Sequence, residues 1–206
     1  MICHMTNDVK HGYVLGLDTS NYTTSVAITD ESHNIICDER KLLKVKQGER
    51  GLRQSDALFQ HIKNLPDLIK SATKNIDSGS IAAVSCSVAP RPIEGSYMPV
   101  FMASKSFAES ISAAIDVPCF EFSHQEGHIE AVRRFTPLNE EKTFLACHFS
   151  GGTCEILKSE EKETPGYDVE IVGGSKDISF GQVIDRAGVL MGFEFPCGKM
   201  MDEIAS

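Results

Sequence analysis

The chain has 206 residues, of which 41% are apolar and 24% are charged, and its formal net charge is −9. This composition is that of a globular protein able to bury one or two hydrophobic cores. The acidic balance excludes broad nucleic-acid binding by this chain alone, because neutralising phosphates requires a concentrated Lys/Arg surface. Apolar runs fall short of the ~18–20 residues of a membrane helix, and the first residues lack a secretion-signal pattern, so we expect no membrane span and a cytoplasmic location.

The chain opens with a predicted meander of three antiparallel strands. Residues 13–20 form an apolar run that ends in an acidic, hydroxylated turn, and residues 23–28 return as a second strand. Residues 34–43 supply the third strand after a turn-prone segment. Two hairpins therefore begin the fold.

Helices and strands then alternate. Ser55 is the predicted N-cap of a helix with apolar side chains at helical spacing, and Pro66 is expected to kink or divide it. A buried strand is predicted at residues 81–88, a second helix at 100–115 and a short strand at 117–120. This order indicates an α/β fold.

Two histidines follow the short strand. His124 and His128 are four residues apart, so on a helix they lie on one face, close enough to share a metal ion. The pair by itself is a weak signal, since an exposed helix in a chain with seven histidines can contain one by accident. The zinc-protease pattern H-E-x-x-H is not present, because Gln125 follows His124 and the carboxylate comes at Glu126. The pair predicts a metal site and disfavours protease chemistry.

From residue 143 the opening pattern begins again. Residues 144–149 run into a Ser-Gly-Gly-Thr turn, 154–157 return, and 168–172 supply a third strand. A helix is predicted at about 181–191, and residues 201–204 resemble the middle of another helix. Two such meanders predict two similar α/β halves, with both first hairpins pointing their turns into a ligand cleft between the halves.

The Ser-Gly-Gly-Thr turn, which follows the first predicted strand of the second meander, has the composition of a phosphate-binding loop. Gly151 and Gly152 remove side chains where backbone amides can approach a phosphate. A tight β-turn that merely uses glycine is the alternative. Hydroxyl donors at the two predicted turns are Thr19, Ser20, Ser150 and Thr153.

These segments together resemble the tRNA threonylcarbamoyladenosine transferase family, long labelled glycoprotease or O-sialoglycoprotein endopeptidase. The family belongs to the superfamily of actin, sugar kinases and heat-shock ATPases. The resemblance covers about residues 13–200 and follows the family's order. The segments that carry it are residues 14–20, 53–58, 89–92, 124–128, 149–152, 181–185 and 195–198.

The resemblance implies an α/β fold of the actin-like ATPase (ribonuclease H-like) type. It implies duplicated domains with mixed sheets flanked by helices, the second domain incomplete. Residues 12–120 are expected to form the first domain. Residues 121–206 are expected to hold the histidine helix and the partial second domain.

The resemblance also implies roles for individual residues. His124 and His128 correspond to the family's metal-binding histidines, with iron or zinc as the metal, which would act as a Lewis acid on phosphates. Asp185 corresponds to the carboxylate that binds the nucleoside sugar, and Gly198 to a glycine against the same nucleoside. The ligand is expected to be ATP or threonylcarbamoyl-adenylate. The residues expected to bind it are Thr19, His148, Phe149, Ser150, Gly151, Gly152, Asp185 and Gly198.

Several positions depart from the family's pattern. Asn21-Tyr22-Thr23 stands where the family has Cys-Asp-Glu, Gln182 replaces a glutamate, and Thr153-Cys154 replaces His-Thr. The family also continues past Ser206, into a segment that carries an aspartate as third metal ligand and an asparagine at the nucleotide. We therefore expect an incomplete metal site and weak or absent metal binding in this chain.

Three functions stay open at this point. The first is an acyltransferase that transfers threonylcarbamoyl to a tRNA adenosine and meets tRNA only with partner proteins. The second is a non-catalytic paralogue that binds nucleotide or pairs with a related subunit as a dimer or hetero-complex. The third and least favoured is a metalloendopeptidase, because no base is correctly placed beside the histidines.

Overall fold

The chain folds as two units, Met1–Glu130 and Ala131–Ser206. The structure, a computed structural model, describes residues 12–20, 22–45, 52–150 and 152–205. Within these ranges there is no helix whose length and apolar content would let it span a membrane.

The first unit is built on one mixed five-stranded sheet. Its strands are β1 (Tyr13–Asp18), β2 (Thr23–Thr29), β3 (Ile35–Leu42), β4 (Ile81–Ala89) and β5 (Cys119–Ser123), in the spatial order β3-β2-β1-β4-β5. The first three strands pair antiparallel, whereas β4 is parallel to β1 and β5 is parallel to β4. The predicted meander and the mixed sheet that the family resemblance implies are thus confirmed. Parallel pairing of β1, β4 and β5 brings their carboxyl ends to one edge of the sheet.

Alternate side chains of β1 and β2 are buried, which explains why these residues form strands of a sheet with one face in the core. Leu15 and Leu17 of β1 and Val26 and Ile28 of β2 are buried, while the residues between them are more exposed. This period of two places the apolar side chains on one face, where they form the core. In β4, which lies between β1 and β5, burial runs over neighbouring residues as expected for a central strand.

Two helices cover this sheet. Helix α1 (Gln54–Ala72) packs against β2 and β3, and helix α2 (Phe101–Ile115) packs mainly against β4. The prediction of Ser55 as N-cap is wrong, since the helix begins one residue before it with Arg53 in the N-cap position. Pro66 lies within α1 and does not divide it. Pro66 lies on the exposed face of α1, so water can hydrate the carbonyl that proline leaves without an amide partner.

A buried polar group joins α1 to β2. His61 is 0% exposed, and its Nδ1 lies 2.9 Å from Thr24 Oγ1. Asn64, one helical turn further, donates its Nδ2 to the same oxygen at 3.1 Å. Because buried polar groups are costly unless they are paired, these bonds favour one register of α1 on the sheet.

The second unit begins with an antiparallel sheet in the order β6-β7-β8. Its strands are β6 (Thr143–Phe149), β7 (Cys154–Glu161) and β8 (Tyr167–Gly174), followed by α4 (Phe180–Leu190) and α5 (Gly198–Ala205). The described part of this unit therefore repeats the strand meander and helix of the first unit, as the sequence predicts. Helix α3 (His124–Arg133) carries the chain across the division between the units.

Arg133 organises the start of the second unit. Its side chain is 9% exposed, and its guanidinium lies 5.6 Å from the Phe144 ring centre and 5.7 Å from the Tyr167 ring centre. The guanidinium donates to the carbonyls of Leu138 (3.1 Å), Asn139 (3.0 Å) and Glu141 (3.1 Å), to Tyr167 Oη (2.9 Å) and to Glu161 Oε2 (3.2 Å). One side chain thus ties the loop before β6 to β7 and β8.

Candidate functional site

The two histidines of the sequence motif meet at the beginning of α3. The Nε2 atoms of His124 and His128 are 2.9 Å apart, and the two rings are inclined at 72° with centres 4.3 Å apart. Imidazole nitrogens bind zinc at about 2.0–2.1 Å, so two nitrogens at this separation can bind the same ion. Within the described ranges, no three His, Cys, Asp or Glu side chains are grouped as a metal site. The pair fits a metal as two ligands and needs others to complete the coordination.

Glu126, which lies between the two histidines, is part of a capping box. Its Oε2 accepts from the backbone N of Ser123 at 2.7 Å and from Ser123 Oγ at 2.7 Å, and its own N–H donates to Ser123 Oγ at 3.2 Å. This is the reciprocal Ser-x-x-Glu arrangement that starts helices. Glu126 is buried, so its role is to start α3 and hold the histidines at its first turn.

The carboxylate of Asp18 lies beside the His124 ring, on the side away from His128. Asp18 Oδ2 lies 3.4 Å from His124 Nδ1, the ring nitrogen opposite the one that faces His128. Asp18 also accepts hydrogen bonds from Ser20 Oγ at 2.6 Å and from Ser87 Oγ. Burial acts to raise the pKa of Asp18, but the neighbouring His124 imidazole and the hydrogen bonds from Ser20 and Ser87 outweigh it and lower the pKa below its ordinary value of 3.8. Asp18 is therefore the ionised group of this cluster.

Sequence reasoning did not identify Asp18 as a site residue, although strand order contains the signal. Asp18 is the last residue of β1, Ser87 lies near the end of β4, and His124 directly follows β5. These three strands are parallel neighbours, so their carboxyl ends meet at one edge. Knowing the pairing of β1 with β4 and β5 would have placed Asp18 beside His124.

Thr19 has a packing role in the structure. Its side chain is fully buried, and its hydroxyl lies 2.8 Å from the carbonyl of Val100 and 2.9 Å from Ser104 Oγ. The backbone N–H of Ser104 donates back to Thr19 Oγ1 at 3.2 Å. These contacts fasten the end of β1 to the first turn of α2. The hydroxyl of Thr19 is committed to the fold, and the residue as a whole is 0% exposed.

In the second unit, Ser150 closes the turn between β6 and β7. Its Oγ accepts from the backbone N of Thr153 at 2.9 Å and of Gly152 at 3.3 Å, and its carbonyl accepts from Gly181 N at 3.2 Å. The predicted phosphate loop is therefore a side-chain-capped turn bound to the start of α4, whose N-cap is Ser179. Gly151 lies outside the described residues.

A cavity of about 330 Å³ lies beside this turn. Gly152, Thr153 and the residues between β8 and α4 contribute to its wall, including Asp177. His148 and Phe149 precede the turn on β6, where His148 is paired in register with Glu155 of β7. The ring of Phe149 packs against the ring of Phe180 at the start of α4, with the two ring centres 4.9 Å apart. His148, Phe149, Ser150 and Gly152 therefore belong to one corner of the second unit.

Asp185 and Gly198 are also brought together. Asp185 Oδ1 accepts from the backbone N of Cys197 at 2.8 Å, and Gly198 follows as the first residue of α5. Cys197 is fully buried against Gly188, where an added Cβ would collide with the Cβ of Cys197. An open cavity of about 590 Å³ adjoins α4, with Asp185, Arg186 and Phe195 in its wall. Asp185 and Gly198 are therefore close in space because α4 packs against the start of α5.

The ribonuclease H-like sheet of the first unit, its parallel strand ends beside the histidine helix, and the second meander define an α/β protein with the actin-like ATPase fold. The family model for TsaD, tRNA N6-adenosine threonylcarbamoyltransferase, matches residues 39–206. The chain belongs to this family, as the sequence motifs predict.

Relatives and solved structures agree with this placement. The chain is 28% identical over 193 residues to a tRNA N6-adenosine threonylcarbamoyltransferase of Thermotoga neapolitana, a match that covers 93% of this chain and 56% of the relative. It is 27% identical over 192 residues to the protein of the same description from Neorickettsia sennetsu, covering 93% and 55%. The chain thus spans about half the length of these relatives. A ROK family transcriptional regulator, a homologue of the E. coli MLC protein, shares the fold with a TM-score of 0.56 at 10% identity, over 89% of this chain and 50% of that one.

Proposed function

We propose that this chain takes part in tRNA modification as a threonylcarbamoyltransferase-type protein that binds ATP or threonylcarbamoyl-adenylate. The observation that carries the proposal is the pair of imidazoles whose Nε2 atoms are 2.9 Å apart at the carboxyl edge of the sheet. Family membership supports the same reaction class. A cytoplasmic location and a small-molecule nucleotide ligand are parts of this proposal.

In the proposed site, His124 and His128 would hold a divalent metal, iron or zinc, and water, phosphate or a further carboxylate would have to supply the other ligands. Such a metal supplies Lewis-acid chemistry at phosphate or carbonyl oxygens. The chain's own contribution is positional. Ser123 and Glu126 start α3, and Asp18 faces the far nitrogen of His124. Both imidazoles are thereby held at the helix start before any ligand arrives.

The proposed nucleotide contacts are in the second unit. Asp185 would accept from sugar hydroxyls with the oxygen that does not bind Cys197 N, and Gly198 offers backbone without a side chain beside it. Ser150, Gly151 and Gly152, with His148 and Phe149 before them, would lie along phosphates. For the described part of this turn to donate amides to phosphate, Ser150 Oγ must release Gly152 or Thr153.

The proposed transfer is an acyl substitution. The adenosine amine forms a C–N bond to the threonylcarbamoyl carbon, the bond from that carbon to the adenylate phosphate oxygen breaks, and AMP leaves with the electron pair while the amine loses one proton. A chain with a net charge of −9 needs partner proteins to hold tRNA. The transfer is therefore proposed for a complex.

A transfer assay tests this proposal. The chain, alone and with candidate partner subunits, is incubated with tRNA and threonylcarbamoyl-adenylate, and modified adenosine is measured by mass spectrometry. We expect His124→Ala and His128→Ala each to lower the rate at least about 10- to 100-fold. His33→Asn, which removes an imidazole at an exposed turn, is the matched control and should leave the rate unchanged. Equal rates for all variants would contradict a role for the pair.

The alternative, a non-catalytic paralogue that pairs with a related subunit, is favoured by apolar side chains on the outside of the first unit. Leu42 is 73% exposed and Phe59 is 63% exposed, and large exposed apolar side chains are the kind of surface that a partner subunit can cover. Under this alternative, calorimetry finds no nucleotide binding at millimolar concentration. Sedimentation then shows a dimer or hetero-complex that Phe59→Glu dissociates. A monomer that modifies tRNA would refute it.

A further inference from the structure

We propose that Asp18 is the positioning residue of the histidine pair: its carboxylate faces Nδ1 of His124, favours the proton on that nitrogen, and so leaves the unprotonated Nε2 of the ring directed toward His128 and a shared metal ion. This inference rests on the metal site of the proposed function and adds to it the residue that prepares the site. Asp18 does not belong to the sequence motif of the pair.

The first support is the placement of the two ring nitrogens of His124. Nδ1 faces Asp18 Oδ2 at 3.4 Å, and Nε2 faces His128 Nε2 at 2.9 Å. In a neutral imidazole one nitrogen carries the proton and the other is the acceptor, and the neighbour of each nitrogen decides which is which. A carboxylate at Nδ1 favours the proton there. The lone pair is then at Nε2, where a metal would bind.

The second support is that the Asp18 carboxylate is itself fixed. Ser20 Oγ donates to Oδ2 at 2.6 Å and Ser87 Oγ donates to Oδ1. Both oxygens therefore have a partner that sets the plane of the carboxylate; Ser20 lies two residues after β1 and Ser87 lies in β4. The 3.4 Å contact to His124 is longer than an ordinary hydrogen bond, so orientation by charge is its main effect.

The third support is the rigid framework that carries both partners. Asp18 ends β1, and α3 follows β5 directly, with β4 between the two strands. The backbone N of Gln125 donates to the carbonyl of Pro90 at 3.1 Å, which ties the start of α3 to the segment after β4. The carboxylate and the imidazole are therefore held by one sheet. Carboxylate–histidine–metal arrangements use such an outer partner to fix the ring and raise its basicity.

The test measures cobalt(II) affinity, with the metal alone as probe, by calorimetry and visible absorption on the full chain. Asp18→Asn keeps the shape of the side chain and removes its charge. We expect it to bind cobalt about 10- to 100-fold more weakly than the unsubstituted chain. Ser87→Ala, which releases one oxygen of the carboxylate, should give a smaller loss. Asp38→Asn is the matched control, since it removes an aspartate on the same sheet whose partner is Arg40, and should leave cobalt binding unchanged.

Nitrogen-15 NMR of the metal-free chain gives a second measurement that a purely structural role would not move. Above pH 8, we expect the protonated nitrogen of His124 to be Nδ1 in the unsubstituted chain and to change toward Nε2 in Asp18→Asn. A His124 already protonated at Nε2 in the unsubstituted chain overturns the inference, even if Asp18→Asn does not fold. Unchanged cobalt affinity in a folded Asp18→Asn also overturns it. If the chain binds no cobalt but His124 carries its proton on Nδ1, the metal proposal fails and the positioning by Asp18 stands.

Discussion

Replacing Arg133 by alanine should selectively destabilise the second unit. The side chain is 9% exposed and donates to five acceptors, one of them the Glu161 carboxylate. Truncation leaves the three carbonyls and the carboxylate without this donor. Glu161 is 43% exposed, so water can replace the lost donor there, and the cost comes mainly from the carbonyls and the Tyr167 hydroxyl left unpaired, about 1–3 kcal/mol of the ~5–15 kcal/mol that holds a domain folded. Arg133→Lys keeps the charge but loses the planar fork, so its cost should be intermediate.

Hydrogen–deuterium exchange resolves the two units. We expect amides of β6, β7 and β8 that exchange through unfolding of the second unit to exchange about 5- to 140-fold faster in Arg133→Ala, since 1.4 kcal/mol is a factor of ten. Amides of β1 to β5 should keep their protection. Arg134→Ala is the matched control, because Arg134 lies 4.9 Å over the exposed Phe135 ring, a contact worth about 0.5–1 kcal/mol. If Arg133→Ala costs under about 1 kcal/mol, or no more than the control, the assignment of Arg133 as the organising residue is refuted.

Three further substitutions or reactions probe the first turn of α3, the α4–α5 contact and the core. Glu126→Ala removes the capping box and should cost about 1 kcal/mol in thermal unfolding, and an unchanged melting temperature would contradict that role. Gly188→Ala forces a Cβ against Cys197 and should cost about 1–3 kcal/mol, whereas Gly127→Ala, with open space around its Cβ, should stabilise by up to about 1 kcal/mol; equal effects would show that the contact is loose. Burial, helped by nearby negative charge, raises the pKa of Cys86 to about 12, so at pH 8 about one thiol in 10⁴ is ionised and Ellman's reagent should modify it only after unfolding. Rapid labelling of Cys86 in the folded chain at pH 8 would contradict this burial. Because the pKa is raised in the folded state above its ordinary value of 9.0, the unfolding free energy should fall as the pH rises from about 9 to 12.

The secondary structure was predictable because its causes are local. The apolar runs at residues 13–20 and 23–28 and their return after residue 143 predict both meanders, and the structure places β1, β2 and β6 there. The spacing of His124 and His128 predicts one helix face by the same geometry. The start of α1 was missed by two residues because Ser55 has cap chemistry while the backbone turns into the helix at Arg53.

The chemistry around each candidate residue depended on neighbours that are distant in the sequence. Thr19 was expected to face a ligand, but its hydroxyl is used by Val100 and Ser104 of the segment that starts α2. The glycine turn was expected to offer amides, and in its described part Ser150 occupies them. The predicted cleft between two halves and the predicted domain limits stay predictions.

The sequence by itself determined the order of strands and helices, the family and the helical spacing of the two imidazoles, because periodicity and turn chemistry act over a few residues. Only the tertiary structure decided that Asp18 faces His124 and that Asp185 binds the amide of Cys197. Both contacts follow from strand order and helix packing, which depend on how the whole apolar surface of a unit is buried. A side chain's partners are a property of that packing, and no local pattern contains them.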